Sequence, residues 1–189
     1  MIRHCPAVGV GRTLSEMDLD SLIGDLIDAA HEATPQLAVR DALERAVADA
    51  AQLAAIFPCE RAELVPLHVS STVSVFKAIW APGMSVPPHD HRMWGAIGVF
   101  AGREDNEFFR RADRGLTTSG GKTLLVGDVG VMGDDVIHSV TATGWTGALH
   151  VYGGDFMSTR RSIWIEGDEQ PNDGPRTQAI FEAANERLG

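Results

Sequence analysis

Gly83-Met84-Ser85-Val86-Pro87-Pro88-His89-Asp90-His91 is the stretch on which the fold turns. It sets two imidazoles one residue apart, directly after a glycine and a proline pair, amid sequence with the texture of short strands. Side chains at i and i+2 of a strand share a face, so His89 and His91 project together while Asp90 points away. Two such rings side by side are unfavourable unless something accepts their lone pairs, and a divalent metal does so. A third ligand from a distant strand completes one face of the coordination sphere. His138, inside the apolar run Val136-Ile137-His138-Ser139-Val140, is the strongest candidate.

Working outward, apolar runs with β-branched residues recur from about 64 to 166: Val73 to Trp80, Gly95 to Phe100, Glu107 to Arg111, Thr123 to Val126, Val136 to Val140, Ala148 to Tyr152 and Arg161 to Ile165. Glycines at 83, 102, 115, 120, 121, 127, 144 and 147 fall between them, where turns need positive φ. Many short, closely spaced strands imply a mainly β fold, a sandwich or barrel. The charged run Arg103-Glu104-Asp105-Asn106-Glu107 is expected on an outer, solvated strand, and 167 to 175 as a surface loop.

Residues 13–57 carry a helical period instead. Thr13 and Ser15 are N-cap candidates ahead of the stripe Leu19, Leu22, Ile23, Leu26, Ile27 and Ala30. Thr34-Pro35 opens a second helix with Val39, Leu43, Ala46, Val47, Ala50 and Leu53 on one face, ended by Pro58. Two N-terminal helices are therefore expected to cover one end of a sheet. A short C-terminal helix, 176–188, would turn Ile180, Phe181, Ala184 and Leu188 inward.

A chain of 189 residues suits one domain, 1–189, with a substantial core. Its net charge of −10, with only Arg110-Arg111 and Arg160-Arg161 as close basic pairs, argues against nucleic acid as a partner. No apolar run approaches the roughly 20 residues of a membrane span, so no membrane partner is expected. The first residues lack the apolar stretch of a signal peptide, and Cys5 and Cys59 show no framework spacing; both point to a cytoplasmic protein with free thiols. Oligomeric state is not legible. His4 and His31 are read as surface or hydrogen-bonded residues, and His68 is left open.

The spacing Gly83, His89, His91, Gly95, Gly102 resembles the first motif of the cupin superfamily, with Gly95 where an ordinary cupin keeps a glutamate ligand. Of the second motif, Gly127 and His138 match, while Gly133, Asp135 and Ala142 depart from it. Loss of the acid resembles one branch, the thiol dioxygenases that act on cysteine or 3-mercaptopropionate. Trp80-Ala81-Pro82-Gly83, Pro88-His89-Asp90-His91, Trp94-Gly95, Ile137-His138-Ser139-Val140 and Leu149-His150-Val151-Tyr152-Gly153-Gly154-Asp155 resemble its bacterial members.

The resemblance implies a cupin jelly roll holding Fe(II) through His89, His91 and His138. It also implies O2-dependent oxidation of a small thiol to a sulfinate. In that family a Ser-x-His-x-Tyr run orients the tyrosine hydroxyl toward the substrate; here it is Ala148-Leu149-His150-Val151-Tyr152, which keeps His150 and Tyr152 as catalytic candidates but leaves His150 unsupported at its far end. With glycine at 95, no cysteine–tyrosine crosslink can form. Arg161, nine residues after Tyr152, matches the arginine of the mercaptopropionate-like branch and suits a substrate carboxylate. Arg92 is a second candidate for that role. The rival functions are another metal-dependent cupin enzyme, using Mn, Ni or Zn, and a non-catalytic cupin that binds a small ligand.

Overall fold

The computed structural model describes residues 18–189. The cap candidates Thr13 and Ser15, with His4 and Cys5, lie outside the described residues. Three helices open the described chain: α1 (Leu19–Ala29), α2 (Pro35–Val47) and α3 (Ala50–Ile56). Asp18 caps α1 by accepting from the Asp20 amide. The second expected helix is broken in two, because the Asp49 carboxylate accepts from the Gln52 amide and starts a new helix there.

Eleven strands follow: β1 (Glu63–Val69), β2 (Ser74–Trp80), β3 (Met84–Asp90), β4 (Gly95–Ala101), β5 (Arg103–Arg111), β6 (Leu116–Leu125), β7 (Val129–Met132), β8 (Ile137–Ala142), β9 (Thr146–Tyr152), β10 (Ser162–Ile165) and β11 (Asp168–Pro171). They form two antiparallel sheets, β1-β2-β9-β4-β7 and β11-β10-β3-β8-β5-β6, in a jelly-roll sandwich. The helix α4 (Gly174–Glu186) closes the chain.

The central strands β2, β4 and β9 of the first sheet are buried on both faces, which is why they read as nearly continuous hydrophobic runs rather than alternating ones. Val75, Ile79, Ala96, Leu149 and Val151 turn outward under Leu26, Leu43, Val47 and Leu53 of the helices. Each fully buried valine, leucine or isoleucine among them contributes about 1.5–3 kcal/mol. The helices thus cover a face of the sheet, not its end. Gly98 lets α2 approach β4, since a Cβ there would lie 2.9 Å from Cγ1 of Val47. The other face of this sheet turns toward the second sheet and carries the polar side chains described below.

Four expectations need correction. The stretch 167–175 is not all loop: β11 pairs with β10 as a hairpin. Gly120 and Gly121 lie inside β6, where a bulge opposite Phe108 and Phe109 absorbs the extended, positive φ of Gly120. Gly147 lies within β9, where a Cβ would strike the Phe100 ring. Helix α4 buries Phe181 and Ala184, but Leu188 falls beyond its end and is exposed. No helix among the described residues is long and apolar enough to cross a membrane.

Candidate metal centre

The placement of His89 and His91 follows from the two prolines before them. Strand β3 pairs with β8 so that Val86 faces Val140 but His89 faces His138, three steps on one strand against two on the other. Neither Pro87 nor Pro88 has an N–H to give the ladder, so the extra residue is absorbed there as a bulge. The bulge also flips strand parity. Met84 and Val86 face the core, and without it Pro88 and Asp90 would follow them inward. With it, the inward positions are His89 and His91. Asp90 turns the other way, accepting from the Ser162 amide at 2.7 Å and from Nε of Arg92 at 2.5 Å, which ties this strand end to β10.

The three rings converge. Their centroids lie 5.0 Å (His89–His91), 4.5 Å (His89–His138) and 5.1 Å (His91–His138) apart, and one nitrogen from each falls within 4.8 Å of the others. All three are buried. Burial is the main influence on their proton affinity and lowers it: His89 to about 4, His91 and His138 well below the ordinary value, the last two helped by the neighbouring histidines. At neutral pH the rings are uncharged, with lone pairs to donate. Nδ1 of His89 contacts the Pro87 carbonyl at 2.9 Å and Nδ1 of His138 contacts Oδ1 of Asn106 at 2.7 Å, while Nε2 of His138 is buried with no hydrogen-bond partner. An orphaned nitrogen amid two more neutral imidazoles fits a divalent metal. Gly95 adds no ligand; a Cβ there would touch the Tyr152 ring at 3.4 Å.

Across the sandwich, β9 turns His150 and Tyr152 toward the same space. The Tyr152 ring stands 4.6 Å from His91, centroid to centroid, and its hydroxyl is 3.0 Å from Nδ1 of His150. Burial, and secondarily the charge of Glu104, raise the Tyr152 pKa, so the phenol keeps its proton.

Behind His150 lies a residue that the charge pattern concealed. Glu104, expected in solvent, is 0 % exposed. Its Oε2 accepts from Nε1 of Trp80 at 3.0 Å, its Oε1 from Nδ2 of Asn106 at 3.0 Å, and Nε2 of His150 stands 3.3 Å from Oε2 without the alignment of a full hydrogen bond. Burial alone would raise the Glu104 pKa, but the neighbouring His150 and the bonds from Asn106 and Trp80 outweigh it and hold the group ionised. The far end of His150 therefore has a carboxylate behind it despite Ala148. The signal was available in strand parity: β5 pairs with β8, and within 103–107 the even positions face inward while Arg103 and Glu107 face out.

Arg161 lies at the same cavity. It is 7 % exposed, its guanidinium sits 3.8 Å from the Phe156 ring centre, and it makes no side-chain hydrogen bond or ion pair among the described residues. Phe156 stacks on Tyr152 at 4.5 Å, so tyrosine, phenylalanine and guanidinium form one layered wall. With His89, His91, Tyr152 and Phe181 this wall bounds a cavity of about 40 Å³ that contains no acidic residue. A wider cleft of about 820 Å³ between β1 and α4 shares Arg161, Phe156 and Phe181 with it. Arg92 is not brought to this space: half exposed, it binds Asp90 and reaches toward Glu169 on the outer side of β3.

No family model matches the chain. Solved structures with similarity to it include a cupin superfamily protein from Desulfitobacterium hafniense DCB-2 (17% identity, 55% of this chain and 88% of that one, TM-score 0.44). An RmlC-like cupin family protein with a double-stranded β-helix fold from Methanocaldococcus jannaschii is similar to a comparable degree (10% identity, 53% and 86%, TM-score 0.45). An oxalate oxidase in complex with the substrate analogue glycolate matches over 51% of this chain and 52% of its own, about half its length, at 17% identity and TM-score 0.41. These likenesses concern the sandwich and say nothing of the chemistry done in it.

Proposed function

We propose that this protein is a non-haem iron(II) dioxygenase that oxidises a small thiol carboxylate, 3-mercaptopropionate in preference to cysteine, to its sulfinate with O2. The observation that carries the reading is the ligand set: His89, His91 and His138 are mutually close, buried and neutral, with no carboxylate among them. Iron(II) held by three neutral imidazoles would keep its full charge, attract a thiolate and supply the redox chemistry for adding O2 to sulfur.

The protein's own contribution is placement. Arg161 offers a planar, unpaired cation at the cavity wall, suited to a carboxylate, with Phe156 fixing its plane. No acid lines the cavity, so an α-ammonium group would be buried there without a counter-charge; this favours the thiol without an amine. At about 40 Å³ the space holds a compact molecule only, a few water-sized volumes of ~10–15 Å³ each. Tyr152 presents a protonated hydroxyl beside His91, able to exchange a hydrogen bond with the substrate or with oxygen. Phe181 of α4 stacks on Trp80 at 5.2 Å and limits water entry from that side.

The test is O2 uptake by protein loaded anaerobically with Fe(II) and given a panel of small thiols, with sulfinate sought by mass spectrometry. Uptake is expected to be fastest for 3-mercaptopropionate and to vanish in H138A along with tight metal binding. Absence of uptake across the panel, or H138A with undiminished metal affinity, would overturn the proposal.

A further inference from the structure

Glu104 joins two chains of polar contacts that lead to opposite sides of the site. One runs from Oε1 to Nδ2 of Asn106 (3.0 Å) and on from Oδ1 of Asn106 to Nδ1 of His138 (2.7 Å). The other runs from Oε2 past Nε2 of His150 (3.3 Å) and on from Nδ1 of His150 to the Tyr152 hydroxyl (3.0 Å). Nε1 of Trp80 binds the same Oε2 at 3.0 Å. The indole N–H is a donor only and an ionised carboxylate an acceptor only, so the polarity at this junction is not free to reverse.

Everything downstream takes its direction from that junction. Asn106 must turn its NH2 to Glu104, which leaves its carbonyl oxygen for His138. Nδ1 of His138 must then carry the hydrogen, and the lone pair falls on the orphaned Nε2. On the second chain, Nε2 of His150 is the nitrogen beside Glu104, at 3.3 Å though off the line of a full hydrogen bond; a hydrogen there faces an acceptor-only carboxylate and leaves bare Nδ1 to accept from the Tyr152 hydroxyl. We propose that Glu104 is a positioning residue that sets which nitrogen of His138 and which nitrogen of His150 bears the proton, and through them both the metal-facing lone pair and the orientation of the Tyr152 hydroxyl. The importance of the His138 arm rests on the metal-centre reading above; the proton positions themselves are properties of the metal-free protein.

The two arms respond differently to substitution. In E104Q the amide has one acceptor oxygen and one NH2. Trp80 can only donate, so the oxygen stays with Trp80 and His150 and the NH2 faces Asn106. Asn106 must then flip, presenting NH2 to Nδ1 of His138 and forcing that ring into the opposite tautomer. Tyr152, on the other arm, is undisturbed. In E104L neither arm keeps its anchor. Tyr152 is the sole tyrosine of the chain, so a 13Cζ-tyrosine label gives one reporter signal, and 15N-histidine spectra assign the tautomers.

Metal-free wild type is expected to show Nδ1–H on His138 and Nε2–H on His150. E104Q should invert His138, lower Fe(II) affinity roughly 10–100-fold, as loss of a ligand-orienting partner does, and leave the tyrosine signal in place. E104L should move both. Wild-type protein with the opposite tautomer on either histidine overturns the inference, with no variant needed. So does folded E104Q that keeps Nδ1–H on His138 and wild-type affinity. Failure of the thiol oxidation itself would show only in the O2 assay and leave these spectra unchanged.

Discussion

Arg161 makes an unusual forecast, because the same feature that suits it to a carboxylate should cost the free protein stability. Its guanidinium is 7 % exposed, Nε has no partner, and the compensation visible is the Phe156 face at 3.8 Å. Burial is the leading influence on its pKa and lowers it, outweighing the opposing potential of Tyr152, Asp90 and Asp173. A buried ion costs several kcal/mol after relaxation; a desolvated cation–π contact returns about 2 kcal/mol. Replacing Arg161 with methionine, of similar length and apolar, should therefore stabilise metal-free protein by roughly 1–3 kcal/mol. At about 2–4 °C per kcal/mol for a chain of this size, that is a Tm rise of roughly 2–12 °C.

Carboxylate binding should move the other way. Two charge-assisted hydrogen bonds at about 1.5 kcal/mol each amount to ~3 kcal/mol, on the order of 150-fold in KM. Differential scanning calorimetry of metal-free wild type and R161M reads the first effect, and steady-state O2 uptake by the Fe(II)-loaded proteins against 3-mercaptopropionate concentration reads the second. A Tm lowered by several degrees would show that the guanidinium is a structural cation, and an unchanged KM would remove it from substrate binding. Either outcome refutes the reasoning.

Acid should weaken the metal-free protein in a defined window. His89 has a folded pKa of about 4 against an ordinary 6.5, so the unfolded chain takes up its proton first as pH falls. Its stabilising contribution is complete above pH 6.5 and is lost on the way down to pH 4, about 3 kcal/mol in all, with His91 and His138 shifting in the same direction. Urea melts at pH 7 and pH 5 should differ accordingly, and H89Q should flatten part of that slope; parallel slopes would contradict the shift. Two glycines offer a packing control. Gly147→Ala forces a methyl against the Phe100 ring and, at 3.0 Å, against Sγ of Cys59, and should cost about 1–3 kcal/mol. Gly24→Ala, mid-helix in α1 with nothing within 4 Å, should gain about 0.5–1 kcal/mol, and the same denaturation assay reads both.

How much of this was legible in the chain depended on range. His89 and His91 share a face through local strand geometry, and their pairing with His138 was inferred from the apolar setting of that residue; the structure places all three together. His150, Tyr152 and Arg161 also meet at the cavity, whereas Arg92 stays outside it. The break at Asp49 was hidden because the apolar stripe continues across it, and only the side-chain cap separates the two helices. Glu104 was hidden for a different reason. A run of five polar residues has the composition of a solvated surface, and only the pairing of β5 with β8, more than thirty residues on, reveals that its even positions face the core. Composition reports average polarity; parity reports direction, and here direction decides.

That direction also gives His150 a polar neighbour that Ala148 cannot supply. Ala148 is wholly buried in an apolar cluster with Ile97, Val99, Leu124 and Met132. Support for His150 comes instead from across the sandwich. Glu104 belongs to the second sheet, with His89 and His138 of the three-histidine cluster, while Trp80 and His150, which it meets, belong to the first. A partner two residues back on β9 would orient the imidazole within its own sheet and say nothing about the distance to the other. A carboxylate reaching over from the opposite sheet does both. The separation between Tyr152 and the three histidines is then held by a polar tie as well as by apolar packing. In a buried setting such contacts are electrostatically stronger than in water, and leaving one unmade is costly, so the tie favours the one sheet spacing that keeps Glu104 against Trp80 and Asn106.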